Sequence, residues 1–346
     1  MRTDGKAELQ HYVPQVLLRL HVKDASAKRG TEQVWCFDKQ TGKVFSPNIR
    51  GVLSGTRFYE IEVDGQTFSL EEPLSELEAQ VSPILARLVE SQKLAELTKE
   101  DRFTIAAFCA TQFLRTQSFR DRIKDLNEGV AEALRTRGIA PTDVSNFKML
   151  SDDEIKAFSM EMLADAPRKY GPHFLAKHWH LVGTTADDPF HLGDHPVVLD
   201  NDVYGPARGA LGLGSPGVTI YLPLGSTLCL AMTDPALVEK LFDGARRVRT
   251  GYAEMQSRTP TRGSREEWAA FLQDMKDNHD RVNEQIRPIE EGTPSAYHPQ
   301  IVMRVNSLQM LYAGRWIVSS KADYSLPLKM IEDDPTLRER RKLQVE

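Results

Sequence analysis

The sequence DRFTIAAFCATQFLRTQSFRDRI, residues 101–123, predicts a long helix at the centre of the fold. Between Phe103 and Leu114 its apolar side chains project in nearly every direction around a helix axis, which is typical of a buried helix rather than a surface one. We therefore expect Phe103, Ala107, Ala110 and Leu114 to be buried.

The segments on either side of this helix change from strand patterns to helical ones and back. Turn signals such as Asp64-Gly65 predict β hairpins in the first seventy residues, and residues 12–22 read as an extended segment. Helical spacing dominates over about 72–167, and a hairpin is predicted from Val218 to Thr233. The predicted fold is α+β, with N-terminal β hairpins, a central helical bundle and a C-terminal mixed sheet.

Two charged residues interrupt apolar helix faces in this middle portion. At about 100° per residue, Glu78 falls inside the apolar arc that begins at Leu74. Gln112 and Arg115 interrupt the apolar surface of the next helix. Because a buried charge without a partner costs several kcal/mol, we expect Glu78 to pair with Arg115, either as a structural ion pair or as part of a site.

Composition excludes several classes of protein. The chain has 346 residues, 40% of them hydrophobic, which is enough to build a core. Its net charge of −5 predicts no non-specific binding to nucleic acid. With a polar N-terminus and no apolar run of about 18 residues, a cytoplasmic location without a membrane span is expected. The sequence identifies no partner.

Histidines cluster in one part of the chain, because five of the nine lie between positions 173 and 195. His178 and His180 would share one face of a strand, and His191 and His195 flank Asp194. These side chains suit a divalent metal such as zinc or iron, but ordinary hydrogen bonding explains them equally, since no fixed ligand spacing is present. The sequence selects no other cofactor.

The letters Gly212-Leu213-Gly214-Ser215-Pro216-Gly217 match a dinucleotide fingerprint. That motif requires a helix after it, so that the pyrophosphate meets the helix N-terminus, whereas here a strand is predicted to follow. We expect a loop that enters a strand at Val218, and neither NAD nor FAD as a cofactor.

A set of short motifs spread along nearly the whole chain resembles the domain-of-unknown-function family 4238, which is found mainly in bacteria. The motifs are His11-Tyr12-Val13-Pro14-Gln15, Trp35-Cys36-Phe37-Asp38-Lys39, Leu70-Glu71-Glu72 through Leu77-Glu78, Gln112-Phe113-Leu114-Arg115-Thr116, Gly193-Asp194-His195-Pro196-Val197-Val198, Leu222-Pro223-Leu224, and Asn306 with Arg315-Trp316-Ile317.

The resemblance implies one full-length α+β domain, which we place at 1–335, followed by a charged tail at 336–346. It implies no activity. It points to five polar positions: His11, Glu78, Arg115, Asp194 and Asn306. The chain departs from the family's Ser-Asp-Asn-Pro pattern with Gly193 and His195, and His178, His180 and His191 match no pattern of the family.

Two hypotheses about function follow. In the first, the protein is an intracellular hydrolase-type enzyme for an anionic substrate, for which a phosphate compound would be suitable. His11 is then the acid or base, Asp194 or Glu78 orients it or binds a metal, and Arg115 holds the anionic group. Further substrate contacts would come from Gln112, Asn306 and Arg315.

In the second hypothesis the protein is a non-catalytic module that binds a ligand or a protein, and the same residues form a structural polar core. Geometry separates the two hypotheses. His11 and Asp194 are each predicted at the end of a strand, where functional side chains often lie. The enzyme hypothesis therefore expects them to share one open cleft. The module hypothesis expects the residues to lie apart, each with its hydrogen bonds satisfied by other groups of the protein.

Overall fold

Short strands and one helical turn make up the N-terminal part of the chain. The computed structural model describes residues 9–63, 65–201, 212–259 and 264–340. Its first strands are β1 (Leu9–His11), β2 (Trp35–Asp38), β3 (Lys43–Phe45), β4 (Ser54–Thr56), β5 (Glu60–Val63) and β6 (Gln66–Ser69), with helix α1 (Gln15–Arg19) between β1 and β2. The predicted N-terminal hairpins are confirmed as β2–β3 and β5–β6.

Five helices follow without an intervening strand. They are α2 (Glu71–Ser91), α3 (Lys99–Leu114), α4 (Gln117–Thr136), α5 (Asp152–Ala164) and α6 (Ala166–Leu175). α3 packs against α2 and α6 and buries Ile105, Phe108 and Cys109 among others. The expected helical middle portion is therefore present, with α3 at its centre.

Five strands come next, followed by two helices and then by strands and helices in alternation. The elements are β7 (His178–Gly183), β8 (Leu192–Gly193), β9 (Val198–Asn201), β10 (Val218–Pro223), β11 (Leu228–Thr233), α7 (Pro235–Gln256), α8 (Arg265–Glu291), β12 (Pro294–Ser295), α9 (Pro299–Tyr312), β13 (Trp316–Ser319) and α10 (Ser325–Asp333). The loop of residues 212–217 enters β10 as predicted.

Two larger sheets organise these strands. One has the order β12-β7-β11-β10-β9 and is mixed, because only β12 and β7 run parallel. The other has the order β3-β2-β13-β8 and is antiparallel, so it joins an N-terminal hairpin to strands from the C-terminal half. The α+β class and the mixed sheet are confirmed.

Residues 12–22 are not extended, contrary to the prediction. Pro14 lies just before α1, and Val16, Leu17 and Leu18 are buried in succession. A short apolar run does not distinguish a buried strand from a buried helical turn by its period, and proline suits a helix start as well as a strand edge.

The predicted helix over 101–123 is in fact two helices. α3 ends at Leu114, and Thr116 has an extended backbone and accepts a hydrogen bond from the Phe119 N–H, so it caps α4. Threonine is a favourable N-cap residue, which explains the break. Ala110 and Leu114 are buried as expected, but Ala107 is only partly buried and Phe103 is 62% exposed, because it projects from the outer side of α3.

The three cysteines, Cys36, Cys109 and Cys229, are free thiols in the interior. Within the described residues, no helix combines the length and the apolar character needed to cross a membrane.

Candidate functional site

Arg115 joins three parts of the fold at the end of α3. Its Nη1 donates to Glu78 Oε1 on α2 at 2.8 Å, its Nε to the Tyr59 hydroxyl at 3.1 Å, and its Nη2 to the His11 carbonyl oxygen at 2.6 Å. The Tyr59 hydroxyl in turn donates to the Arg115 carbonyl oxygen at 3.0 Å. The predicted Glu78–Arg115 pair is confirmed. Sequence reasoning missed Tyr59, which lies in a loop without a motif.

The guanidinium of Arg115 is buried, whereas its partner reaches the surface. The Arg115 side chain is 3% exposed and that of Glu78 is 28% exposed. Burial lowers the pKa of Arg115, but Tyr59 and Glu78 outweigh that effect and raise it. The guanidinium therefore stays positively charged. Since Nε, Nη1 and Nη2 each donate to a group of the protein, this arginine is poorly placed to bind an external anion.

His11 lies beside this pair and is half-buried. Its Nε2 is 3.1 Å from the Ile49 carbonyl oxygen. A carbonyl only accepts, so Nε2 carries the proton and Nδ1 of the neutral ring keeps its lone pair. Burial lowers the pKa of His11, and the Ile49 hydrogen bond and the charge of Glu78 oppose this only in part. The ring is therefore neutral at pH 7, as a general base must be.

Asp194 is buried and belongs to a different group of residues. Its Oδ1 accepts from the Gly314 N–H at 2.7 Å, and its Oδ2 accepts from the N–H groups of Arg315 and Trp316 at 2.8 and 3.0 Å. Burial raises the pKa of Asp194, and these three hydrogen bonds counteract the rise in part. The carboxylate thus fixes the start of β13.

The expected cleft shared by His11 and Asp194 receives no support from this geometry. His11 Nε2 faces Ile49, whereas both oxygens of Asp194 face the backbone before β13. The Asp194 carboxylate is hydrogen-bonded by the protein itself, as the module hypothesis expects of each of these residues.

The remaining substrate-binding candidates are held by other parts of the protein. Gln112 Nε2 donates to the Tyr12 carbonyl oxygen at 2.9 Å. Asn306 accepts from the His191 N–H at 2.8 Å and donates to the Pro189 carbonyl oxygen at 3.1 Å. Arg315 binds Asp38 through Nε and Nη2, at 3.2 and 2.8 Å.

Gln309 and Lys39 complete the group around Asp194, and sequence reasoning missed both. Gln309 accepts from the Gly193 N–H at 2.8 Å and donates to the Pro196 carbonyl oxygen at 2.9 Å. Its position three residues after Asn306 on the same face of α9 was the available signal. Lys39 Nζ donates to the Ala313 carbonyl oxygen at 2.5 Å, near the end of α9, and burial lowers its pKa to about 8.

The four candidate metal ligands are distributed over three places. His178 and His180 share one face of β7 as expected, with ring centroids 6.4 Å apart. His191 packs on Tyr324, and His195 Nδ1 lies 2.6 Å from Thr116 Oγ1. Among the described residues, no group of three or more His, Cys, Asp or Glu side chains is arranged to hold a metal ion. The geometry therefore gives no support to a metal centre.

Helices α7 and α8, which we call the arm, show an unusual pattern of burial. They run antiparallel, since Arg249 binds Asn283 and Glu290, and Tyr252 packs on His279. Both helices are described in full, and their only buried residues are Val238 and Ala245 of the 22 in α7, and Ile286 of the 27 in α8. Sequence reasoning did not predict α7, although Asp234-Pro235 is a helix-start signal.

Each helix of the arm carries a stripe of apolar side chains along its length. The stripe lies next to the side by which the two helices contact each other. We call the two stripes the arm face: Leu241, Val248 and Met255 on α7, and Phe271, Met275 and Val282 on α8. Leu241 and Phe271 are 46% and 44% exposed, and the other four are partly exposed. At 100° per residue, each stripe lies about 70–80° from the side that faces the other helix. Because the helices are antiparallel, both stripes lie on the same side of the arm.

A cavity of about 530 Å³ lies between the β5–β6 hairpin and α5. Apolar side chains such as Ile61, Phe68 and Phe158 line most of it. None of the predicted site residues contributes to its lining, so it does not support the predicted site.

A family model described as "Protein of unknown function (DUF4238)" matches residues 9–323, which is nearly the full length of the chain. No curated protein and no solved structure matches the chain.

Proposed function

The chain belongs to the DUF4238 family of proteins of unknown function, and on that premise we propose that it is a protein-binding module whose binding surface is the arm face. The observation that carries this proposal is the contrast between its polar residues and its arm. The polar residues are bound by the protein itself, whereas the arm face leaves six apolar side chains partly uncovered.

The first support comes from the candidate catalytic residues. Arg115, Asp194 and Asn306 each make at least two hydrogen bonds, and their partners lie on other elements of the chain. A side chain whose groups are bound by buried protein atoms must lose those bonds before it can bind a substrate. These residues therefore serve better as supports of the fold than as a catalytic set.

The second support comes from the spacing of the arm face. Residues 241, 248 and 255 on α7 repeat every seven positions, and Phe271, Met275 and Val282 keep the spacing of four and seven on α8. A seven-residue apolar repeat is the pattern by which helices pack along a seam. The partner that fits such a face is another helical surface, with apolar residues along its length.

Site-specific photo-crosslinking in cells tests the proposal. A photoreactive phenylalanine analogue at Phe271 is expected to give one discrete protein adduct, which the additional substitution Leu241→Glu removes. The same analogue at exposed Ala270, on the far side of α8, is the matched control and should give no adduct. Equal labelling from both positions, or none from position 271, would overturn the proposal.

One observation favours a second candidate, the hydrolase-type enzyme. His11 has a neutral ring with Nε2 fixed and Nδ1 unprotonated, close to the carboxylate of Glu78 and to Arg19. In this alternative His11 removes a proton from water, Glu78 stabilises the imidazolium that forms, and Arg19 attracts an anionic substrate. The buried Arg115 then positions Glu78 and does not touch the substrate.

A panel of phosphomonoester, phosphodiester and carboxylic ester substrates distinguishes the two candidates. Under the module proposal the wild-type protein and His11→Ala release product at the same background rate. A turnover that His11→Ala abolishes, with an unchanged melting temperature, would replace the module proposal by the enzyme. His298→Ala, at an exposed position in a different part of the chain, is the control.

A further inference from the structure

We propose that the occupant of the arm face is a second copy of this chain, so that two arms pair into a four-helix bundle. This inference rests on the proposed function and names the partner for the same surface. It is carried by the dimensions of the face, by the space above it and by the charges of its two helices.

The dimensions match those of a specific interface. At 1.5 Å per residue, α7 is about 33 Å long, and two helices side by side are about 20 Å wide. Such a face covers roughly 650 Å² on each copy, so pairing two copies buries roughly 1,300 Å², within the usual range for a stable dimer. A two-helix arm cannot bury this face by itself, because its own contact uses the neighbouring sides of the helices.

The space above α7 is open in the single chain. Gly244 and Gly251 alternate with Leu241, Val248 and Met255 along the stripe, and a Cβ added at either glycine meets no atom within 4 Å. Glycine inside a helix is destabilising relative to alanine. A partner helix that approaches closely over these two positions would offset that cost through its packing contacts.

The charges favour a copy of the same arm as the partner. α8 carries eight acidic and four basic residues, whereas α7 carries three acidic and four basic ones. When two arms are related by a two-fold axis parallel to the helices, α7 of each copy lies over α8 of the other. In this arrangement the net positive α7 of each copy faces the net negative α8 of the other. The same favourable contact therefore occurs twice, as expected of a self-complementary interface.

The test is the mass of the full chain in solution by sedimentation equilibrium. The wild-type protein is expected at twice its 39.0 kDa at micromolar concentration. Leu241→Glu and Phe271→Glu should each weaken the dimer at least tenfold, because each places a charge in the apolar seam. Both residues are exposed in the single chain, so these variants should keep the helical circular dichroism of the wild type.

Matched controls carry the same new charge on the opposite side of each helix. Ala253→Glu on α7 and Ala270→Glu on α8 should remain dimeric. A monomeric wild-type protein, or a dimer that the face variants leave intact, would overturn the inference. The proposed function is judged separately, because a crosslinked adduct at position 271 with any mass other than that of a second chain supports the binding surface and excludes the self-pairing.

Discussion

Thr116 Oγ1 lies 2.6 Å from Nδ1 of His195, a residue 79 positions further along the chain. The same hydroxyl accepts a hydrogen bond from the Phe119 N–H at 3.2 Å, which caps α4. Both side chains are buried, and the His195 ring also packs against Phe113 and Tyr312. One hydroxyl therefore ends the apparent continuous helix and connects the central helices to the loop before β9.

We predict that Thr116→Ala destabilises the protein more than an ordinary loss of a helix cap does. Removing an N-cap hydroxyl costs about 1 kcal/mol, and leaving a buried imidazole nitrogen without its partner costs about 1–3 kcal/mol more. Thr98→Ala is the matched control, because Thr98 caps α3 in the same way from an exposed position. Equal losses of unfolding free energy in urea for the two variants would contradict the role assigned to His195.

The ion pair at the end of α3 gives a second prediction. Arg115→Leu should lower the free energy of unfolding by about 3–5 kcal/mol, because Glu78 and the Tyr59 hydroxyl lose a buried partner. Arg87→Leu breaks an ion pair with Asp101 in which the arginine is 47% exposed, so it should cost about 1 kcal/mol or less. Chemical denaturation measures both, and wild-type stability in Arg115→Leu would refute the importance of the pair.

Stability should fall as the pH falls from neutral into the acid range. Burial lowers the pKa of His21, His180 and His191 from 6.5 to about 4. Between these two values the unfolded chain binds protons that the folded chain does not, so each histidine removes up to about 1.4 kcal/mol of stability per pH unit.

Urea titrations at several pH values between 7 and 4 measure that slope. His180→Phe should make the dependence shallower, since it removes one buried imidazole, whereas His298→Phe at an exposed position should leave it unchanged. A free energy of unfolding that does not vary with pH over this range would show that these rings are protonated in the folded protein.

The sequence predicted those features of the fold that depend on local patterns. Glu78 interrupts an apolar arc and Arg115 ends an apolar helix, so their pairing followed from the cost of a buried charge. By contrast, the hydrogen bonds of Asp194 go to a segment about 120 positions away, and no local pattern marks that contact. Residues 15–19, which are helical although an extended segment was predicted there, show the same limit. A short buried run is compatible with either a strand or a helical turn.

The last prediction concerns the packing of Gly314 against the start of α4. A Cβ added at Gly314 lies 2.8 Å from Ser118 Oγ and 3.5 Å from Asp194 Oδ2. Ser118 is buried, and its hydroxyl has no hydrogen-bond partner among the described residues. Gly314→Ala should therefore destabilise the protein by about 1–3 kcal/mol through overpacking.

Ser118→Ala removes the oxygen that causes this clash and breaks no hydrogen bond between described residues, so by itself it should change stability little. In the double variant the two substitutions should cancel in part, with a favourable coupling of about 0.5–3 kcal/mol, because the new methyl group occupies the space that the hydroxyl leaves. Strictly additive effects of Gly314→Ala and Ser118→Ala in urea denaturation would show that the two positions do not touch, and that the start of β13 does not pack on α4 as described.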